Sequence, residues 1–232
     1  KVMRKDCIWI HGASVGETVA TSPLVKQIRP EMPDRPILVS AFTVGGYNMA
    51  KQIIPEADAI IFFPLDLPFV AESMVKRIHP GIFMPVETEL WPNFLRAIRE
   101  RHIPVMMVNG RISEKSVKTY RYLYGIWDDM LSTVSRFCMQ SSIDADYIYS
   151  LGADKNKIFV TGNTKFDQTY AEVTPEDYAR YKEELGLNDS YPIIMAGSTH
   201  PGEEKALFDA FKKVREKYAD EFLRATEKHI EK

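Results

Sequence analysis

The chain has 232 residues, 45% of them apolar and 27% charged, with a formal net charge of −2. That is enough chain for a substantial core in one large domain, or one domain plus part of another. The near-neutral balance and mixed composition exclude a disordered polyelectrolyte, a collagen-like repeat and a nucleic-acid-binding polycation, so no nucleic-acid partner is expected.

Short apolar runs alternate with helix-sized segments. In chain order the runs are CIWIH, PILVSA, AIIFFP, GIFMPV, IPVMMVN, RFCMQ, KIFVTG and PIIMAGS, each apolar on consecutive positions, as strands covered on both faces are. The alternation predicts an α/β fold, a Rossmann-like doubly wound parallel sheet with right-handed crossovers. Ligands of such sheets bind beyond the carboxyl ends of the strands, so the strand-to-helix turns are the places to search. These turns read HGASVGE, SAFTVGG, FPLDLP, PVETELWPN, NGRIS, MQSS, TGNTKFD and AGSTHPGEE. Around 167–190 the pattern thins into an acidic helix with Thr174 as N-cap and Pro175 at its first position. The expected domains are therefore 1–187, an incomplete second α/β domain over 188–218, and a terminal helix over 219–232 that packs back on the first domain.

Cys7 and Cys138 both lie in apolar runs, which fits buried thiols in a reduced setting rather than a disulfide scaffold. No apolar run approaches the roughly 20 residues that span a bilayer, and Lys1-Val2-Met3-Arg4 leads straight into a strand, so a soluble piece without a signal peptide is expected.

The first turn contains Gly12-Ala13-Ser14-Val15-Gly16, a G-x-S-x-G pattern. A nucleophile elbow needs a second oxyanion-donor loop from an earlier strand and partners in the order Ser, Asp or Glu, His. No upstream sequence supplies that loop, and among the later histidines only His200 lies in a strand-end turn. Ser14 is instead expected to cap the helix that starts near Gly16, the glycines permitting a tight turn. Glu17 then stands in the first helical turn at the mouth of the sheet. The helix dipole lowers its pKa, whereas burial or a second carboxylate raises it and makes it a better base.

Glu87 and Glu89 follow the fourth strand in VETELWPN, and they point the same way if the strand continues through them. Trp91-Pro92 starts the next helix. The later turns offer Asn109 and Arg111, then Asn163 and Lys165, then Ser198, Thr199 and His200 at a helix start, where backbone N–H groups suit a phosphate or carboxylate. The aromatic run Tyr120, Tyr122, Tyr124 and Trp127 reads as a packing face in preference to an acceptor-side surface. His79 and His102 precede strands, at the edge away from ligand chemistry. No zinc-spaced cluster, GxxxxGK[ST] loop or GxGxxG fingerprint occurs, so no metal and no cofactor are expected.

Five of these motifs, HGASVGE, VETELWPN, NGRIS, GNTKFD and AGSTHPGEE, in this order across Ile8 to Glu204, resemble the Kdo transferases of lipopolysaccharide synthesis. The resemblance implies an inverting GT-B glycosyltransferase at the cytoplasmic face of the bacterial inner membrane. It would transfer 3-deoxy-D-manno-octulosonic acid from a CMP-Kdo donor to a lipid A precursor acceptor. It assigns Glu17 as proton acceptor. Glu87 and Lys165 are the preferred supporting catalytic groups, with the choice between Glu87 and Glu89 open. Ser14, Gly16, Glu89, Asn109, Arg111, Asn163, Ser198, Thr199 and His200 are substrate-binding candidates. The family's membrane anchor and its Pro-Arg and Asn-Pro-Leu-Glu donor segments do not occur in this sequence, which reads as a trimmed or internally deleted form that would bind CMP-Kdo poorly. Two other readings compete: an α/β hydrolase using Ser14, and a non-catalytic domain binding lipid A or a sugar phosphate.

Overall fold

The computed structural model describes residues 6–120, 124–167, 173–186, 194, 196, 197 and 199–230. Two compact units divide the chain, 1–171 and 172–232.

In the first unit the first seven apolar runs form seven parallel strands: β1 (Ile8–His11), β2 (Ile37–Ala41), β3 (Ala59–Phe62), β4 (Ile82–Pro85), β5 (Met106–Gly110), β6 (Arg136–Met139) and β7 (Ile158–Val160). Strands β3-β2-β1-β4 form one ladder and β5-β6-β7 another. Parallel bridges at Phe83 and Val105 and at Val86 and Val108 join the two at the β4/β5 seam. The order reverses after β3, giving the switch point between β1 and β4 at which doubly wound sheets hold ligands.

Helices α1 (Val15–Glu31), α2 (Val44–Ile53), α3 (Pro68–Ile78), α4 (Pro92–Arg99), α5 (Glu114–Tyr120), α6 (Tyr124–Thr133) and α7 (Ser142–Ser150) follow the strands. One core lies under α3, α4 and α6 and centres on Trp9, Phe83, Phe94 and Phe137. Trp9 meets Phe63, Phe83 and Phe94 edge-on, with centroids 5.1–6.1 Å apart. The other lies between the opposite sheet face and α1 and α2, built on Ile10, Val25, Ile37 and Val39. The central strands are thus covered on both faces, as their consecutive apolar residues require. The edge strands depart from that expectation: β3 is only partly buried, and Phe159 and Val160 of β7 are exposed, because an edge strand has a neighbour on one side only.

Tyr120 stacks on the buried Trp127 at 4.0 Å, so this end of the aromatic run packs, while Tyr122 lies outside the described residues. His79 and His102 both take left-handed backbone conformations, φ 48° and 53°, and close turns at the amino edge. No helix among the described residues is long and apolar enough to cross a membrane.

The second unit contains α8 (Pro175–Glu184) and α9 (Glu203–Ile230). Thr174 caps α8 by accepting the Asp177 N–H at 3.1 Å, with Pro175 in the first turn, as the sequence signals. Residues 203–230 form one continuous helix. Of the eighth apolar run, residues 192, 193, 195 and 198 lie outside the described residues.

Candidate active site

β1 delivers the chain at His11 to a turn so tight that a Cβ on Gly12 would lie 3.0–3.1 Å from the backbone and Cβ of Glu17. Ser14 is the N-cap of α1, and Glu17 at the third helical position accepts the Ser14 N–H on Oε2 at 2.6 Å. Ser14 has relaxed extended dihedrals, φ −112° and ψ 178°, not the strained turn of a nucleophile elbow. Ser14 thus closes the turn and starts α1. Burial pushes the Glu17 carboxyl above the usual carboxylate range; the Ser14 N–H opposes this, and the negative charges of Glu89 and Glu87 add to it.

The strand does not continue through Glu87 and Glu89. β4 ends at Pro85, and Glu87 turns the chain with φ 60°, so the two carboxylates part rather than align. Glu87 Oε1 meets Lys165 Nζ at 2.9 Å, whereas Glu89 Oε2 accepts the Trp91 indole N–H at 2.9 Å and lies 3.7 Å from His11 Nε2. Both remain near enough to Glu17 to perturb it. The site therefore gathers three carboxylates from two turns and one cation from a third.

Lys165 arrives from a 3₁₀ turn, Thr164–Asp167, after β7. Asn163 Oδ1 accepts the Lys165 N–H at 2.9 Å, and the Thr164 hydroxyl donates to the Ala20 carbonyl of α1 at 2.9 Å. Asn109, left-handed at φ 53° and only 2% exposed, ends β5 and accepts the Thr164 N–H on Oδ1 at 3.0 Å. Asn109 thus ties the Lys165 turn to β5, and Asn163 braces the turn from within. A Cβ on Gly16 would stand 3.7 Å from Lys165 Nζ, which places Gly16 beside the cation. Arg111 is exposed one residue beyond β5, its carbonyl accepting the Thr88 hydroxyl of the glutamate turn.

Ser14, Gly16, Glu17, Glu87, Glu89, Asn109, Arg111, Asn163 and Lys165 therefore converge on one sheet edge. Thr199 and His200 belong to the second unit, and Ser198 lies outside the described residues. The His200 N–H donates to Glu203 Oε2 at 2.8 Å and the Thr199 hydroxyl to Glu204 Oε1 at 2.7 Å, so this helix start is capped by its own carboxylates. Among the described residues no group of three His, Cys, Asp or Glu side chains is placed to hold a metal ion.

Sequence reasoning missed His11, fully buried at the end of β1, and Asp66, whose carboxylate caps α4 through the N–H groups of Asn93 and Phe94. A histidine closing an apolar strand is the signal that could have found the first. The second acts across 27 and 28 residues and has no local signature.

Comparison with known proteins bears on the same unit. A family model described as 3-deoxy-D-manno-octulosonic-acid transferase (kdotransferase) matches residues 1–168. A 3-deoxy-D-manno-octulosonic acid transferase of Haemophilus influenzae is 31% identical over 227 residues, covering 97% of this chain and 52% of that protein. A bifunctional glycosyltransferase/methyltransferase of Fusobacterium nucleatum is 35% identical over 216 residues, covering 91% of this chain and 33% of that protein. The chain thus spans about a third to a half of the length of these relatives. Among solved structures, a UDP-GlcNAc 2-epimerase from Neisseria meningitidis bound to UDP-GlcNAc superposes with a TM-score of 0.56 at 11% identity, over 78% of this chain and 55% of that one. That likeness shows the fold, a Rossmann-like half of GT-B type. With the family model spanning the strands and turns that build the site, the chain belongs to the 3-deoxy-D-manno-octulosonic-acid transferase family of glycosyltransferases.

Proposed function

We propose that this chain carries the acceptor side and the general base of an inverting transferase that moves Kdo from CMP-Kdo to a lipid A precursor. The observation that carries the reading is Glu17: a partly buried carboxylate with a raised pKa at the switch-point edge of the sheet. Glu17 removes the proton from the acceptor hydroxyl while that oxygen attacks the anomeric carbon from the face opposite CMP. The new C–O bond forms as the bond to the CMP phosphate oxygen breaks, and CMP leaves with the bonding electrons. A raised pKa makes Glu17 a stronger base than an ordinary carboxylate. Glu87, held by Lys165, offsets the positive charge that develops on the sugar, and Lys165 meets the donor carboxylate or the departing phosphate. Arg111 is exposed at the same edge and supplies a further cation for an anionic substrate.

A lipid acceptor is supported by the apolar surface around this edge. Phe42 after β2, Phe62 at the end of β3, Leu65 and Leu67 in the turn that follows and Phe69 at the start of α3 are all exposed. Such exposed apolar side chains suit acyl chains or a bilayer surface, and the site of action proposed with that acceptor is the cytoplasmic face of the bacterial inner membrane. Thr199 and His200 of the second unit are assigned to the donor side.

The test is transfer from freshly generated CMP-Kdo to a lipid A precursor by the full-length transferase bearing this sequence. Glu17→Ala is expected to lower kcat by about 100- to 10,000-fold with acceptor binding retained. Full turnover in that variant would sink the assignment and return the search to Glu87 and Glu89. Loss of activity in Ser14→Ala together with labelling by a serine-directed phosphonate would instead favour the hydrolase reading.

A further inference from the structure

His11 has no part in the chemistry above, yet it is fully buried one residue before the turn that carries Glu17. Its ring stacks on Phe63 with centroids 3.8 Å apart and planes 17° from parallel. Nδ1 lies 3.1 Å from Ser40 Oγ and 3.2 Å from the Ser40 carbonyl oxygen. Nε2 is buried without a hydrogen-bond partner, and it stands 3.7 Å from Glu89 Oε2.

The surrounding groups decide where the imidazole proton sits. The Trp9 indole N–H can only donate, and it donates to Ser40 Oγ at 2.8 Å. The Ser40 hydroxyl hydrogen then needs an acceptor, which Nδ1 provides. The opposite tautomer would put a proton on Nδ1 and leave the Nε2 lone pair facing a carboxylate in a buried setting, which is repulsive. The network thus assigns the proton to Nε2, in the order Trp9, Ser40, His11, Glu89, with the Trp91 N–H holding the same Glu89 oxygen from the other side. The Nε2 to Oε2 distance is beyond a hydrogen bond but within ion-pair range, and a small movement of the Glu89 turn closes it.

We propose that His11 is a positioning residue that donates from Nε2 to Glu89 and so holds the Glu89 side chain in place beside Glu17. The proposal rests on the reading of Glu17 as the base, because its consequence is felt there. His11 faces Ser40 from β2, Phe63 from the turn after β3 and Glu89 from the turn after β4. Glu17 faces Glu89 and Glu87, the latter paired with Lys165, and is held by the Ser14 N–H on its own helix. Without the His11 donor, Glu89 keeps only the Trp91 N–H, its turn is free to shift, and its charge opposes ionisation of Glu17 less strongly.

The experiment follows the Glu side-chain carboxyl carbons of the 232-residue chain by NMR through a pH titration, with no turnover required, so it stays informative if Glu17 proves not to be the base. His11→Asn keeps an amide where Nδ1 sits and loses the donor at Nε2; the Glu17 midpoint is expected to fall, because the Glu89 charge is no longer held beside it. His11→Gln restores a donor at the Nε2 position and is expected to titrate like the parent. An unchanged midpoint in His11→Asn, or an equal shift in both variants, overturns the proposal. The parent chain supplies an independent measurement if a variant fails to fold: nitrogen-15 shifts that place the His11 proton on Nε2 support the network, and a proton on Nδ1 overturns it.

Discussion

Helix α4 starts without a cap of its own. Trp91 occupies the N-cap position and offers no side-chain acceptor, and Pro92 has no N–H. The next two backbone donors, Asn93 and Phe94, reach across to Asp66 at 3.1 and 2.8 Å, and the Asn93 side chain adds bonds to the Asp66 carboxylate at 3.2 Å and carbonyl at 2.8 Å. Asp66→Ala removes the carboxylate bonds from a helix that sends Phe94, Leu95, Ala97 and Ile98 into the core. A hydrogen bond to a charged group contributes about 1.5–3 kcal/mol, and loss of an N-cap costs about 0.5–2 kcal/mol. Asp66 is half-buried, so water replaces part of the loss, and about 2 kcal/mol is expected for Ala. Asp66→Asn keeps one acceptor for Phe94 and turns an amide toward the other donor, for about 1 kcal/mol. At this size the Ala variant should melt about 4–8 °C lower. Urea unfolding followed by tryptophan fluorescence reads the effect cleanly, since Trp9, Trp91 and Trp127 all lie in the first unit. An Asp66→Ala variant within about 0.5 kcal/mol of the parent, the spread of ordinary surface substitutions, would refute the remote-cap reasoning.

Glu17 gives a pH signature. Its carboxyl is raised in the folded state, so between the ordinary carboxylate pKa and the raised value the folded chain keeps a proton that the unfolded chain has lost, and stability falls as pH rises through that window. Glu17→Gln should remove this decline and be more stable than the parent near neutral pH in paired urea melts; an unaltered pH dependence would contradict the buried-carboxylate account. Gly12 and Gly16 should respond oppositely to alanine. A Cβ at Gly12 meets the Glu17 backbone at 3.0–3.1 Å, and overpacking of this kind costs about 1–3 kcal/mol. At Gly16 it makes only ordinary contact, and a helical Gly→Ala change is worth up to about 1 kcal/mol of added stability. Equal melting temperatures for the two variants would argue against the geometry of the first turn.

Much of this molecule was legible in its sequence because a doubly wound sheet writes itself locally. Consecutive apolar residues such as Ile37-Leu38-Val39 and Phe137-Cys138-Met139 signal strands covered on both faces, and Ser14, Thr174 and Pro92 mark helix starts by short-range chemistry. In a parallel sheet every strand ends at one edge, so Glu17, Glu87, Asn109 and Lys165 could be grouped without knowing which strands are neighbours. Direction was not legible. Period-two alternation aligned Glu87 with Glu89, and the left-handed turn at Glu87 depends on contacts with β5, whose Val108 carbonyl accepts the Glu87 N–H at 2.9 Å. The places of His11 and Asp66 likewise rest on partners far along the chain.

The Lys165 turn closes on α1 through the Thr164 hydroxyl and the Ala20 carbonyl, groups separated by 144 residues. Ribosomes add about 5–20 residues per second, so during synthesis Ala20 waits roughly 7–30 s for its partner. The Lys165 and Glu87 pair likewise spans 78 residues. Contacts of such long range are slow to form because the intervening chain must be ordered first. The nascent chain thus displays these glutamates well before Lys165, and the Glu87–Lys165 pair can form only after the seventh strand has been made.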